Sequence, residues 1–242
     1  MARKEINYDG NRFEIAYDII NPTQKQDFIV LHGWGSNKEI MKQAFSGYLP
    51  QYRHIYIDLP GFGKSSNDII LTTDSYARII QVFLDTIHAR TDIIAGHSFG
   101  GKVALLLAPD TLVLLSSAGI PVPKPWQVRL KIALFKHLKG LGLGGLRRYF
   151  ASPDASDLPQ HMYETFKHVV DEDFSDIFAA YRGKALLFWG KEDSATPLFT
   201  GEKIAALITQ SALYPMEGDH YFFLHHGAKI AEIITRETDG TV

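Results

Sequence analysis

The stretch that decides the fold lies at residues 92–107 and reads DIIAGHSFGGKVALLL. The apolar run at 92–95 is typical of a buried strand, and a helical pattern follows it from about Ser98 to Leu107. Between them, GHSFG at residues 96–100 matches G-x-S-x-G, in which a serine sits on a sharp strand-to-helix turn. Glycines leave room for such a turn, and the helix N-terminus favours negative charge on a nearby substrate oxygen. The stretch predicts a nucleophile at Ser98; the alternative is a serine that only caps a helix.

Short apolar runs alternate with longer helical stretches along most of the chain. This alternation predicts the α/β class, with a mostly parallel central sheet flanked by helices. The interruption comes between Pro121 and Arg182, where prolines and glycines cluster. We interpret residues 121–182 as a helical lid inserted into a core formed by residues 1–120 and 183–242. The predicted strands are 13–19, 28–31, 55–57, 92–95, 112–115, 185–189 and 212–214, and the predicted helices are 74–89, 98–107, 198–207 and 224–235.

Composition excludes several classes of protein. The 242 residues carry 25 basic and 27 acidic side chains and a net charge of −2, whereas nucleic-acid binding usually needs a basic excess. The chain has no cysteine, so disulfides, thiolate nucleophiles and cysteine metal sites are excluded. No apolar stretch approaches the ~18 residues of a membrane span, and residues 1–10 lack the apolar run of a signal peptide. We expect a cytoplasmic protein without nucleic-acid partners or stable membrane insertion.

A serine nucleophile needs a base and an acid that orients the base. The strand predicted at 185–189 runs into Gly-Lys-Glu-Asp, which places Asp193 just beyond the strand end. His220 follows the last predicted strand in the sequence Gly-Asp-His. We predict Asp193 as the acid, with Glu192 as its rival, and His220 as the base. Three further polar residues nearby are interpreted as loop, surface or packing residues: Asp219, His225 and His226.

An oxyanion hole would need two backbone amides. One is the amide of Phe99, which follows the nucleophile, and the other comes from the loop after an early strand. That loop reads His-Gly-Trp-Gly at residues 32–35, so Trp34 would supply the second amide and Gly33 would let the backbone approach the substrate. His32 is interpreted as a residue that ties this loop down.

These segments together resemble the α/β-hydrolase superfamily. The resemblance rests on HGWG at 32–35, DLPGFGKS at 58–65, GHSFGG at 96–101, WGKED at 189–193 and GDH at 218–220, in the order typical of that superfamily. It implies the α/β-hydrolase fold, with the helical lid inserted after the sixth strand. It also implies hydrolysis by a Ser-His-Asp triad without a cofactor.

Two subfamilies fit the motifs. The first two segments resemble the carboxylesterases of biotin synthesis, which demethylate a pimeloyl ester on acyl carrier protein. In that subfamily a tryptophan follows His-Gly, as Trp34 does here, and basic lid residues contact the acidic carrier. The resemblance implies that Trp34 and Gly33 bind substrate and that a basic lid docks the carrier, although His97 and Phe99 depart from that subfamily's pattern. The candidate docking residues are Arg129, Lys136, Arg147 and Arg148; they could instead attract an anionic substrate or form a solvated helix face.

The second subfamily comprises the carbon–carbon hydrolases that cleave ring-opened aromatic products. They share the DLPGFGKS segment and the triad, but their oxyanion loop usually continues with glycine and proline, where this chain has Trp34-Gly35-Ser36. We therefore prefer the hypothesis that the protein hydrolyses an ester. Thioester hydrolysis and a non-catalytic ligand-binding relative remain alternatives, and no metal-binding motif such as H-E-x-x-H is present. A dehalogenase is excluded because position 98 is not aspartate.

Overall fold

The computed structural model describes residues 1–122 and 158–239. Within these ranges eight strands form one sheet in the order β1-β2-β4-β3-β5-β6-β7-β8. The strands are β1 Ala2–Tyr8, β2 Asn11–Ile20, β3 Asp27–Leu31, β4 Arg53–Ile57, β5 Ile93–His97, β6 Thr111–Leu115, β7 Lys184–Gly190 and β8 Ser211–Met216. The helices are α1 Lys38–Phe45, α2 Thr73–Thr86, α3 Phe99–Leu106, α4 Gln160–Val169, α5 Ser175–Ala180, α6 Leu198–Leu207 and α7 Phe223–Asp239.

The sheet is mostly parallel, as predicted. Strands β3 to β8 pair in parallel, while β1 and β2 form an antiparallel hairpin whose second strand also runs antiparallel to β4. Every residue of β3, β5 and β6 is buried, because helices cover both faces of the sheet. The predicted α/β fold is therefore confirmed.

Side chains alternate along β3 to fill two cores. Ile29 and Leu31 pack on the face covered by α2, α3 and α6, whereas Phe28 and Val30 pack on the face covered by α1 and α7. This period of two is the pattern of a strand with helices on both faces. The parallel strands then all end at the same edge of the sheet, and the loops that leave this edge carry the candidate site.

Two elements were missing from the sequence-based prediction. Strand β1 consists mostly of exposed polar residues at the edge of the sheet, so it lacks the apolar signal of a core strand. Helix α1 has only eight residues, although its N-cap Asn37 accepts a hydrogen bond from the Glu39 amide at 3.0 Å. The segment between β6 and β7 contains α4 and α5 in its described part.

Candidate active site

The turn at Ser98 is strained. Its φ of +50° and ψ of −115° lie in a region that residues with a side chain rarely adopt. Neighbouring strands hold the turn: the Ser98 amide donates to the Leu115 carbonyl at 3.1 Å, and the Ala118 amide donates to the Ser98 carbonyl at 3.0 Å. Strain of this kind costs of order 1–3 kcal/mol and persists only where the surroundings enforce it. The turn thereby presents Ser98 at the start of α3, where it lines a cavity.

Glycines on both sides of Ser98 allow this turn. A Cβ at Gly96 would lie 2.3 Å from the Gly100 carbonyl oxygen, and one at Gly100 would lie 2.5 Å from the His32 carbonyl oxygen. Both clashes are with backbone atoms, so no rotamer change could relieve them. The G-x-S-x-G spacing is therefore a packing requirement of the strand-to-helix turn.

Asp193 and His220 are in direct contact. The His220 Nδ1 lies 2.7 Å from Asp193 Oδ2, which leaves Nε2 as the free ring nitrogen. His220 also lines the cavity that Ser98 lines, and its side chain is 19% exposed. The structure thus brings together the acid and base predicted from sequence, on loops that follow β7 and β8.

The Asp193 carboxylate is buried but well satisfied. Its Oδ1 accepts hydrogen bonds from the amides of Ala195 at 2.8 Å and Thr196 at 2.9 Å, and the Thr196 hydroxyl reaches Oδ2 at 2.9 Å. Burial raises the pKa of Asp193, but hydrogen bonds and the charge of His220, with help from Thr196 and Ser116, outweigh burial and leave the pKa lowered. The carboxylate is therefore ionised at neutral pH.

Thr196 contacts the predicted acid, although it was not among the residues predicted from the sequence. Its hydroxyl contacts the Asp193 carboxylate and, at 3.0 Å, the carbonyl of Ser116, which follows the end of the neighbouring strand β6. The sequence offered one signal: Thr196 comes three residues after Asp193. The carboxylate of an aspartate in a turn commonly accepts hydrogen bonds from the backbone amides that follow it.

The rival residues face elsewhere. The exposed Glu192 carboxylate accepts from the Gly218 amide at 2.5 Å, and Asp219 accepts from the Tyr221 amide at 2.8 Å. His226 pairs with the Glu217 carbonyl at 2.8 Å, and His225 is exposed. None of these four side chains is hydrogen-bonded to the His220 ring, which contacts Asp193 instead.

The predicted oxyanion loop lies against Ser98, the predicted nucleophile. A Cβ at Gly33 would lie 2.9 Å from His97 Nδ1 and 3.2 Å from the Ser98 Cβ, so a side chain here would push the loop and its neighbours apart. Phe99 is the first residue of α3, and the first amides of a helix have no partner within the helix. The Trp34 ring packs on Phe62, Phe99 and Phe166, with centroids 4.8, 5.6 and 5.3 Å away, which anchors the loop to α3 and α4.

Two buried histidines support this region. His32 Nδ1 pairs with the Gly33 carbonyl at 2.7 Å, and its Nε2 accepts from the Leu59 amide at 3.0 Å, as a residue that ties the loop down should. Burial lowers the pKa of His32 to about 4 and that of His97, which precedes Ser98, to about 3. Both rings are therefore uncharged at neutral pH.

These two histidines should make the fold sensitive to mild acid. In the unfolded chain each has a pKa near 6.5, so between about pH 6.5 and 4 the unfolded state binds more protons than the folded state. Stability then falls as pH falls, by about 2 kcal/mol per histidine between pH 7 and pH 5. Urea unfolding across this range measures the loss. His32→Gln should remove its own share of the loss, about 2 kcal/mol, whereas the substitution His225→Gln, at an exposed position, should leave the loss unchanged; a flat profile in the wild type would contradict the assignment.

The cavity beside Ser98 has a volume of about 450 Å³. Apolar side chains from α4 and from the segment after β6 contribute much of its described wall, among them Ile120, Phe166 and Val169. Lys102, one turn along α3, also lines it, but its ammonium donates to Glu172 Oε2 at 2.7 Å and to the Val169 carbonyl. Much of the cavity wall within the described residues is thus apolar, and the one lysine in it is already paired with Glu172.

Other sequence expectations concern metals, membranes and the lid. Within residues 1–122 and 158–239, no group of three or more His, Asp or Glu side chains could hold a metal ion. No helix in the same ranges is both long and apolar enough to cross a membrane. The candidate carrier-docking residues Arg129, Lys136, Arg147 and Arg148 lie outside the described residues.

Comparisons with known proteins agree with this architecture. A model of the Alpha/beta hydrolase family matches residues 28–233. The AB hydrolase superfamily protein YisY of Bacillus subtilis is 27% identical in an alignment of 241 positions that spans 86% of this chain and 90% of YisY. Among solved structures, the esterase EaEST from Exiguobacterium antarcticum has a TM-score of 0.73 at 23% identity, over 94% of this chain and 96% of that chain. At that identity the structure shows a shared fold.

Two further relatives match the alternatives raised by the motifs. A pimeloyl-[acyl-carrier protein] methyl ester esterase from Photobacterium profundum is 35% identical, but only over 38% of this chain and 36% of that enzyme. A 2-hydroxy-6-oxononadienedioate/2-hydroxy-6-oxononatrienedioate hydrolase from Burkholderia vietnamiensis is 26% identical over 81% of this chain and 80% of that enzyme. One relative is more similar over a short stretch, and the other is less similar over most of the chain.

Proposed function

The chain belongs to the alpha/beta hydrolase family, and from this premise we propose that it is a serine carboxylesterase that works through an acyl-enzyme on Ser98. One observation carries the proposal: His220, hydrogen-bonded to the buried Asp193, opens onto the same cavity as a serine held in a strained strand-to-helix turn. Nucleophile, base and orienting acid are the minimum set for this chemistry.

The reaction would proceed in two steps. Ser98 Oγ attacks the ester carbonyl while His220 Nε2 takes its proton, and that proton then passes to the departing alcohol. In the second step water attacks the carbonyl of the acyl-enzyme while His220 Nε2 takes a proton from the water. That proton passes to Ser98 Oγ as the carboxylic acid leaves. Asp193 keeps the proton of the neutral imidazole on Nδ1 and stabilises the imidazolium that forms. The amides of Trp34 and Phe99 would hold the oxyanion, a contribution of about 3 kcal/mol per donor.

For the substrate we propose a pimeloyl ester on a carrier protein, cleaved at its methyl ester. The partial similarity to a pimeloyl-[acyl-carrier protein] methyl ester esterase supports this choice, as do apolar side chains of the cavity wall such as Ile120, Phe166 and Val169, which suit an uncharged acyl chain. Docking of an acidic carrier on Arg129, Lys136, Arg147 and Arg148 belongs to the same proposal, with the cytoplasm as the expected location.

The second candidate is carbon–carbon hydrolysis of a ring-opened dienoate. The relative from Burkholderia vietnamiensis favours it, because the similarity extends over most of both chains. The charges of the described wall weigh against it. Lys102 is paired with Glu172, and Asp171 lies beside them, so a substrate that carries carboxylates would meet acidic groups there.

A comparison of substrates separates these proposals. We expect kcat/KM to be highest for a carrier-bound pimeloyl methyl ester, lower for short p-nitrophenyl esters, and lowest for a ring-opened dienoate. Dimethyl pimelate, which is uncharged like the carrier-bound chain, serves as the control for carrier recognition. Equal efficiency on the free and carrier-bound esters would remove the carrier from the proposal, and highest efficiency on the dienoate would replace the esterase by the second candidate.

A further inference from the structure

His97 has no part in the chemistry proposed above, yet its ring is buried at the centre of the site. It is the last residue of β5, is 1% exposed, and lines the same cavity as Ser98. Buried polar side chains are costly unless their hydrogen bonds are made. The contacts of the two ring nitrogens therefore indicate what the residue does.

One ring nitrogen holds the loop of the predicted base. His97 Nε2 lies 3.0 Å from the carbonyl oxygen of His220, which can only accept, so Nε2 carries the proton. The two imidazole rings also pack together, with centroids 4.5 Å apart. His97 thus contacts both the backbone and the ring of His220.

The other ring nitrogen faces the oxyanion loop. No described residue donates a hydrogen bond to His97 Nδ1, and a Cβ at Gly33 would lie only 2.9 Å from it. This edge of the ring is closed by the Gly33 backbone. One side chain therefore fills the space between the loop of residues 33–34 and the loop of His220, while its own backbone leads into Ser98.

We propose that His97 is a positioning residue: it sets the distance between the base His220 and the oxyanion loop by donating from Nε2 to the His220 carbonyl and packing its Nδ1 edge on Gly33. This inference rests on the proposed function, because positioning has meaning only if His220 is the base. Displacements near 1 Å from a productive geometry can slow a reaction by about 100-fold.

The charge state of His97 suits this role. Burial, the neighbouring charge of His220 and, to a smaller extent, that of His32 lower its pKa to about 3, although the hydrogen bond to the His220 carbonyl and the charge of Asp193 act in the opposite direction. The rings of Tyr221 and Phe223 complete its surroundings, with centroids 5.2 and 4.8 Å away. An uncharged ring does not oppose the positive charge that His220 acquires during catalysis.

Two amide variants provide a matched test. The Gln side-chain nitrogen can reach the place of Nε2 and donate to the His220 carbonyl, whereas Asn reaches only as far as Nδ1. We expect His97→Gln to retain kcat within about 3-fold and His97→Asn to lose about 10- to 100-fold in kcat with little change in KM. Phosphonylation of Ser98 by a fluorophosphonate should slow in the same order. Melting temperatures show whether each variant is folded.

The outcomes distinguish this inference from the proposed function. If the wild type is not labelled by the fluorophosphonate, the serine hydrolase proposal fails. If it is labelled but folded His97→Asn reacts as fast as the wild type, or His97→Gln is as slow as His97→Asn, the positioning role is wrong. Nitrogen-15 NMR of the wild type adds a test that needs no variant: His97 should be the neutral Nε2–H tautomer from pH 5 to 8, and the Nδ1–H tautomer would overturn the assignment.

Discussion

Ser98→Ala is expected to lower kcat on any ester substrate by about 10⁴-fold or more, equivalent to about 5.5 kcal/mol of transition-state stabilisation. The loss is large because the oxygen that forms the covalent bond is removed, while binding of the substrate is retained. Fluorophosphonate labelling should disappear with it. The measurement is steady-state kinetics with active-site titration of the wild type.

An exposed serine next to the predicted acid, Ser194, offers the matched control. Ser194→Ala should keep wild-type kcat and full labelling. If Ser98→Ala is still labelled, the nucleophile lies elsewhere.

The strain at residue 98 has a measurable consequence for stability. At φ +50° and ψ −115° a glycine avoids the steric cost that any side chain incurs. We therefore expect Ser98→Gly to be inactive and to melt above Ser98→Ala, although the extra freedom of glycine in the unfolded chain offsets part of the gain. A lower melting temperature for the glycine variant would show that the strain relieved at this turn is smaller than the entropic cost of glycine, about 0.4–1 kcal/mol.

Asp193→Asn is expected to lower kcat by about 10⁴-fold while leaving KM within a few-fold. An amide in place of the carboxylate can donate to His220 Nδ1, which favours the wrong tautomer and removes the negative charge that stabilises the imidazolium. The pH dependence of kcat and the labelling rate both report this change.

Glu192 is the control for that substitution, because it is the adjacent acid and its carboxylate faces the Gly218 amide. Glu192→Gln should keep kcat within about 3-fold, since an amide oxygen can still accept from that amide. A large loss in Glu192→Gln together with an active Asp193→Asn would reverse the assignment of the acid.

Elements with strong local patterns were predictable from the sequence. Helix α6, Leu198–Leu207, was predicted with its observed bounds, and the buried strands β3, β5, β6 and β7 were predicted to within one or two residues at either end. Strand β1 was not predicted, because it is a polar edge strand that pairs with β2 and buries only one of its own side chains, Ile6. Thr196 was not predicted as a site residue, and no role was predicted for His97, because their contacts are with residues distant in sequence or depend on the exact path of a loop.

The sequence by itself determined the α/β class and the order of the elements, because buried strands and amphipathic helices have local periodicities. It also determined the turn at Ser98, because only glycines fit beside the neighbouring backbone at positions 96 and 100. The tertiary structure decided which acid meets His220. Asp193 and Glu192 are adjacent in sequence, and only the path of the chain after β7 directs one carboxylate inward to the imidazole and the other outward to Gly218. It likewise decided that His97 joins two loops, since a contact between residues 97 and 220 follows from parallel strands ending side by side, which no local pattern encodes.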